Sequence, residues 1–448
     1  MSNYLFCFDI VGLSPTLLAK LQKMEHVSRL APQSRTADME PVFPCLTLPG
    51  QASFFTGTWP AEHGIIANGF YDRDRFEVSF WDQYRTLVQA RPVWERLKEK
   101  NSNCKTALLF CQNTLYGHAD MIVTPKPMHT DEGLVQWCYS KPVGLYEQLC
   151  RDLGQPFNLM DYWGPFASHK SSEWIMAAAQ NVAVNHKPNF MAVYIPHLDY
   201  SCQKYGPEDP RVDEDLAVID RLIGGFMESL EKAGILEQST LCLFSEYSLF
   251  PVTGAVQPNN ILRRNGFLSV RTINGKEYLD FEMSRAFAMV DHQAAHIFIN
   301  DRTALDPVKK LLETTDGVAQ VLDNDGKKAH HVDHPRSGDL VAVSDPDKWF
   351  AYYWWETKEA APDFAEHIDI HRKPGYDPVE LFMNKETFKI PLEPGLIKGS
   401  HGAPPSGGYG MAAIMLWGKG VRQIALPQVV KTVDVSDILE KLLETAHV

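Results

Sequence analysis

Apolar residues along this chain follow two patterns: short unbroken runs, and longer stretches in which they recur every three to four positions. The unbroken runs Tyr4 to Val11, CKTALLFCQN from Cys104, NFMAVYIPHLDY from Asn189 and STLCLFSEYSLF from Ser239 predict strands buried on both faces. Between them Leu13 to Lys23, PVWERLKEK from Pro92, Ser171 to Asn185 and Asp213 to Ala233 predict helices with one apolar face. Strand and helix in alternation point to a largely parallel sheet flanked by helices. The rhythm breaks twice. Tyr116 to Lys170, rich in aromatic residues and proline, reads as loops around a pocket. From Pro251 to about Pro394 the mixed segments FAMVDHQAAHIFIN, DLVAVSD and KWFAYYWWET predict an inserted α+β region. The chain then returns to a buried strand in GMAAIMLWGKG and a closing helix in VDVSDILEKLLETA. The expected division is a core of residues 1–255 plus 395–448 and an insertion of 256–394, without internal repeats or low-complexity linkers.

Composition narrows this picture only slightly. With 448 residues, 44% of them hydrophobic and 22% charged, the chain has the make-up of a globular protein able to bury a large core. A net charge of −13 speaks against a surface for nucleic-acid polymers, but bound divalent cations can still supply positive charge locally. The eight cysteines include no C-x-x-C pair and several lie in apolar runs, so buried free thiols are expected. MSNYLFCFDIVG reads as a strand rather than a signal peptide, and no apolar run approaches the ~18 residues of a membrane span, so the expectation is a cytoplasmic protein without membrane contact. Oligomeric state is left open.

Polar residues at the ends of the apolar runs carry the candidate chemistry. Asp9, Asp199 and Glu246 each close a predicted strand, and ligands of open α/β sheets bind at the carboxyl ends of strands. Three buried carboxylates call for a cationic companion. The stretch Pro41 to Asp72, PVFPCLTLPGQASFFTGTWPAEHGIIANGFYD, reads as a strand end, a tight turn, a short helix and a glycine-punctuated loop. It sets Thr47 at a helix mouth, where the residue serves either as a cap or as an activated hydroxyl beside unpaired N–H groups. His401 sits on a glycine-flanked loop. His197, two residues before Asp199, shares its face if that segment stays extended, and so becomes a ligand or a supporting residue. His292 and His296 read as pocket or structural residues, and His330, His331, Asp333 and His334 as a solvated loop. Trp137, Tyr162, Trp163 and Tyr352 to Trp355 either stack on a ligand or fill the core.

With these residues placed, the chain resembles the nucleotide pyrophosphatase/phosphodiesterase branch of the alkaline phosphatase superfamily. The most telling run is TLPGQASFFTGTWPAEHGIIANGFYD, and the strand end at Asp9, DYSCQKYGP, Glu246-Tyr247, HPRSGDLVAVSDP and GSHG add weaker matches. The resemblance implies an alkaline-phosphatase-like three-layer α/β/α fold with a largely parallel central sheet. It implies Thr47 as the nucleophile and one or two divalent cations. One would be held by Asp9, Thr47, Glu246 and Tyr247, the other by Asp199, Gln203 and His401, with Gly50, His197 and Tyr200 as substrate-contacting or supporting positions. Gln203, Glu246 and Tyr247 replace His, Asp and His of the family pattern. This oxygen-rich set makes Mn²⁺ or Mg²⁺ as reasonable as Zn²⁺.

The activity so implied is metal-dependent hydrolysis of a small phosphate ester through a phospho-threonine intermediate. No Arg or Lys lies between Cys45 and Thr58, which favours diesters or pyrophosphates over dianionic monoesters. The alternatives are a phosphotransferase or mutase on the same site, and a non-catalytic binding descendant of the fold. Sulfatase chemistry is disfavoured, because the turn C-L-T-L-P offers threonine rather than a residue that becomes formylglycine.

Overall fold

The structure, a computed structural model, describes residues 3–131 and 133–444. Its centre is a nine-stranded sheet: β1 (Tyr4–Ile10), β2 (Arg35–Glu40), β3 (Thr106–Leu109), β4 (Met121–Pro125), β5 (Cys138–Lys141), β6 (Phe190–Ile195), β7 (Ser239–Phe244), β8 (Ala412–Gly418) and β9 (Val429–Lys431). Their spatial order is β9-β2-β8-β7-β1-β6-β3-β4-β5. The run β7-β1-β6-β3-β4 is parallel, β8 is antiparallel to both β7 and β2, and β5 is antiparallel to β4.

β1 lies in the middle, and its sequence YLFCFDI explains why. Successive side chains face opposite ways, and both faces are covered. Tyr4, Phe6, Phe8 and Ile10 join a core with the helices Pro15–Leu21, His169–His186 and Pro210–Lys232, whereas Leu5 and Cys7 join another with Thr47–Thr56, Val93–Lys100 and Thr432–Glu444. The result is the expected three-layer α/β/α sandwich. Tyr116 to Lys170 departs from its reading as loops, because β4, β5, a small hairpin and the helix Leu145–Leu153 all fall within it. These strands are only four or five residues long, too short for their alternation to register.

A second, four-stranded antiparallel sheet orders Ala286–Asp291, Ala294–Ile299, Leu340–Ser344 and Val318–Leu322, inside the stretch read as inserted. Tyr352 to Trp355 fill its core, so that aromatic run is packing material. The first hairpin of this sheet turns at His292 and Gln293, and Gln293 N–H donates to His401 O at 2.9 Å. All eight cysteines are free, seven of them buried. Among the described residues no helix is long and apolar enough to cross a membrane.

Candidate active site

Asp9 is the penultimate residue of β1, opposite Phe244 of the parallel neighbour β7, and Glu246 lies two residues beyond the end of β7. Adjacent strand ends therefore bring the two carboxylates together. The helix Thr47–Thr56, buried along its whole length, crosses these ends, with Phe54 stacked on Phe244 at 3.5 Å. Leu48 and Pro49 follow Thr47, and proline is tolerated in a first turn because no N–H is needed there. Gly57, at φ 72°, ends the helix in the left-handed conformation.

Thr47 Oγ1 lies 3.2 Å from the phenol oxygen of Tyr247. One turn on, Gln51 shares the helix face of Thr47. Its Nε2 donates to Asp9 Oδ2 at 2.8 Å and to Glu246 Oε1 at 3.3 Å, and its Oε1 accepts from Gln112 N–H at 2.8 Å, which fixes the orientation of the amide. The helix mouth itself offers little to an anion. Leu46 N–H donates to Pro44 O and Leu48 N–H to Asn68 Oδ1 at 3.0 Å, while Pro49 has none, leaving Thr47's own N–H.

Gly50 is required by close approach. A Cβ there would stand 2.5 Å from Glu246 Cβ, far inside contact distance. Gly50→Ala is expected to push Glu246 away from Gln51 and to cost about 1–3 kcal/mol, read as a lower unfolding midpoint in urea. An unchanged midpoint would refute this fit.

The second half of the site starts at Asp199. The run ending β6 does not stay extended: His197–Tyr205 is a helix, with Asp199 in its first turn. Residues two apart on a helix point in different directions. His197 therefore turns from the site to Ser172 Oγ at 2.7 Å and Asp215 O at 3.2 Å, which corrects the expectation of a shared face. Residues four apart do share a face, and Gln203 Nε2 donates to Asp199 Oδ2 at 2.5 Å. Gln203 Oε1 accepts from Tyr376 O–H at 3.2 Å, so the amide oxygen expected to bind a cation already has a donor. Tyr200 is buried and donates to Tyr162 O, on the side of Trp163 rather than of Thr47.

His401 Nδ1 lies 2.7 Å from Cys45 O, an acceptor only, so Nδ1 carries the proton and Nε2 keeps its lone pair. Its ring is stacked 3.6 Å from Tyr247 and lies tilted 3.6 Å from His292, and His292 continues stacked to Tyr376 at 3.9 Å. His296 instead bonds Ile66 O at 3.1 Å and accepts from Gly338 N–H, as a structural residue. His331 stacks on Trp59 and His334 meets Gln89, apart from Thr47. Residues without a signal of their own also matter. Asn68 holds Leu48 N–H and donates from its backbone and side chain to Asp291, and Tyr376 arrives from a turn 173 positions from Gln203. Gln51 could have been singled out, since it stands four residues from Thr47.

Electrostatically the site is a set of acceptors without a cation. Burial, and then the neighbouring Glu246, raise the Asp9 carboxyl well above its usual range; burial raises Glu246 to about 7 and Asp199 to about 8. Burial also lowers His401 to about 3 and holds the Tyr247 phenol well above 10. Asp9 Oδ1, Glu246 Oε2, Asp199 Oδ1 and His401 Nε2 are all buried without a hydrogen-bond partner, whereas the other polar atom of each side chain is held. One atom fixed and one lone pair free is how a supporting shell orients metal ligands. Among the described residues no three His, Cys, Asp or Glu side chains enclose one point, so the set is no closed structural metal site. A hard divalent cation fits it, with a hydroxyl, water or substrate oxygen completing the shell.

Comparison with known proteins shows the family and the fold. Residues 5–377 match the family described as type I phosphodiesterase / nucleotide pyrophosphatase. An uncharacterized pyrophosphatase/phosphodiesterase of Schizosaccharomyces pombe is 21% identical over 255 residues, 54% of this chain and 42% of that protein. The ectonucleotide pyrophosphatase/phosphodiesterase family member 1 of Mus musculus is 24% identical over 216 residues, 48% of this chain and 20% of that protein. The chain thus spans less than half the length of these relatives. Two solved structures share the fold. Phosphonoacetate hydrolase from Sinorhizobium meliloti 1021, in complex with phosphonoformate, superposes with a TM-score of 0.63 at 15% identity, covering 99% of this chain and 96% of that one. Murine ectonucleotide pyrophosphatase / phosphodiesterase 5, in complex with AMP, gives 0.61 at 12% identity, covering 99% and 95%.

Proposed function

Because the chain belongs to the type I phosphodiesterase / nucleotide pyrophosphatase family, we propose that it hydrolyses small phosphoric diesters or pyrophosphates with Thr47 as the nucleophile. The observation that carries this reading is the Thr47 hydroxyl at a buried helix start, 3.2 Å from Tyr247 and beside carboxylates that each keep one unpartnered oxygen. Thr47 Oγ1 gives its proton to water and forms a bond to phosphorus as the bond to the leaving oxygen breaks; the leaving oxygen departs as an anion or takes a proton from water, and a second water then cleaves the threonyl ester and returns the hydroxyl. Tyr247 orients the hydroxyl, and Asn68, braced by Asp291, anchors the helix turn that carries it. Asp9 and Glu246 would hold a divalent cation such as Mn²⁺ or Mg²⁺, which would supply the positive charge that favours an ionised Thr47 hydroxyl and offsets the charge of the phosphate. A diester carries less negative charge than a monoester, which suits a site lined by the buried carboxylates of Asp9, Asp199 and Glu246.

The test is turnover of bis(p-nitrophenyl) phosphate against p-nitrophenyl phosphate and a phosphonate ester with added MnCl₂, followed by acid quench and peptide mass spectrometry. A substrate-derived adduct on the Thr47 peptide is expected. Hydrolysis that leaves this peptide unmodified throughout the turnover would overturn the assignment.

Cation binding should also depend on pH. Carboxyls whose folded pKa is raised hold protons that the unfolded chain has released, so the cation-free protein loses stability from these groups as pH rises from the usual carboxylate range to about 8. A cation replaces those protons. The gain in melting temperature on adding MnCl₂ is therefore expected to grow between pH 5 and 8, measured by differential scanning fluorimetry. A gain that shrinks over that window would contradict the burial-raised carboxyls of Asp199 and Glu246.

A further inference from the structure

We propose that the site takes a single divalent cation, at the Asp9–Glu246 pair, while the Asp199–His401 side stays cation-free, closed by Gln203, Tyr376 and a column of stacked rings. This deepens the reading above and rests on it.

The four unpartnered acceptor atoms lie in two different settings. On the first side two buried carboxylates converge on one amide NH₂, that of Gln51, and each keeps an unpaired oxygen. An amide carries no net charge to balance two carboxylates. Thr47 stands one helical turn before Gln51, so a third oxygen belongs to the same helix face. Once a cation displaces their protons, the two carboxylates and Thr47 offer two negative charges and three oxygens, which suit one hard divalent ion with the rest of its shell open to water or substrate.

The second side has one carboxylate and one neutral nitrogen. Gln203 cannot add a donor in the arrangement it holds, because its NH₂ group binds Asp199 and its oxygen accepts from Tyr376. Turning the amide round would set its oxygen against Asp199 and strip Tyr376 of its acceptor. His401 cannot swing: Tyr247 stacks on its ring at an interplanar angle of 9°, His292 lies against it tilted at 37°, and Nδ1–H is fixed on Cys45 O.

The column is built in. It runs Tyr247, His401, His292, Tyr376, and its ends bond Thr47 and Gln203. His292 enters it from a hairpin turn at φ 56°, a left-handed conformation that a non-glycine residue holds only when its surroundings fix it. Gln293 supplies that fixing: its N–H donates to His401 O, and its amide donates to Pro346 O and Lys348 O at 3.0 Å each. One carboxylate and one imidazole fall short of the three protein ligands of a zinc site, and they offer a hard cation one negative charge where the Asp9–Glu246 pair offers two. The lone pairs of Asp199 Oδ1 and His401 Nε2 are left for hydrogen atoms of substrate or water.

The experiment counts bound metal without reference to turnover. The full chain, stripped with chelator, is titrated with MnCl₂ by isothermal calorimetry, and manganese retained after gel filtration is measured by elemental analysis. A single equivalent is expected in the wild type and in Asp199→Asn, and loss of binding in Asp9→Asn, with thermal melts establishing that each variant is folded. Gln203→His, which sets a third donor beside Asp199 and His401, is expected to gain a second equivalent; should that variant fail to fold, the contrast between Asp9→Asn and Asp199→Asn decides. Two equivalents in the wild type, or loss of binding in folded Asp199→Asn, overturn the single-cation assignment and leave the Thr47 reading standing. No bound manganese overturns both this assignment and the cation part of the functional reading, whereas the Thr47 adduct is measured separately.

Discussion

Thr47→Ala is expected to lower turnover of an aryl phosphodiester by about 10⁴-fold or more, the scale of losses on removing a covalent nucleophile. The fold should hardly notice. Thr47 is buried and makes one side-chain hydrogen bond, to Tyr247, whose removal is worth about 1 kcal/mol. The melting temperature is then expected to fall by about 2–4 °C at most. Steady-state kinetics and a thermal melt on the same preparation check both halves. A variant with wild-type turnover would remove Thr47 from the mechanism, and one that loses activity only by unfolding would make it a structural cap.

Lys373→Met is expected to cost about 3–5 kcal/mol, because it leaves two buried carboxylates without their partner. Lys373 Nζ lies 2.8 Å from Asp377 and 2.6 Å from Glu380, with all three side chains only 1% exposed. Glu380 also accepts from Trp163 Nε1 at 2.6 Å and from Asp369 N–H at 3.0 Å, so the triad pins the turn that carries Tyr376. A drop of about 6–20 °C in melting temperature follows from that energy. Adding Asp377→Leu and Glu380→Gln should recover much of the loss, since the stranded charges go with them. If Lys373→Met alone melts like the wild type, the triad is not holding this turn.

Sequence and structure agree where a signal is local. Tyr4 to Val11 is buried on both faces because an unbroken apolar run of that length has nowhere else to go, and β3, β6 and β7 follow the same rule. Asp9 and Glu246 are conspicuous because a carboxylate that closes a buried apolar run is costly to leave unpaired. Sequence and structure part where the meaning of a residue depends on where its element stops. β6 ends at Ile195, two residues before His197, and the change from extended chain to helix rotates His197 away from Asp199. β4 and β5 went unnoticed because strands of four or five residues show too little alternation to be told from loop.

Hydrophobic runs, strand-end carboxylates and the Thr47 turn are properties of neighbours along the chain, so the sequence by itself determined the α/β/α layering and nominated Thr47, Asp9, Asp199, Glu246 and His401. Tertiary structure alone decided how those residues are held. Gln51 between two carboxylates, Gln203 bonded to Asp199 and Tyr376, and the rings of Tyr247, His401, His292 and Tyr376 in one column are contacts between segments far apart in sequence. The physical reason is that a donor or a ring has a role only relative to the partner it meets, and that partner arrives through strand order and hairpin placement rather than through spacing along the chain.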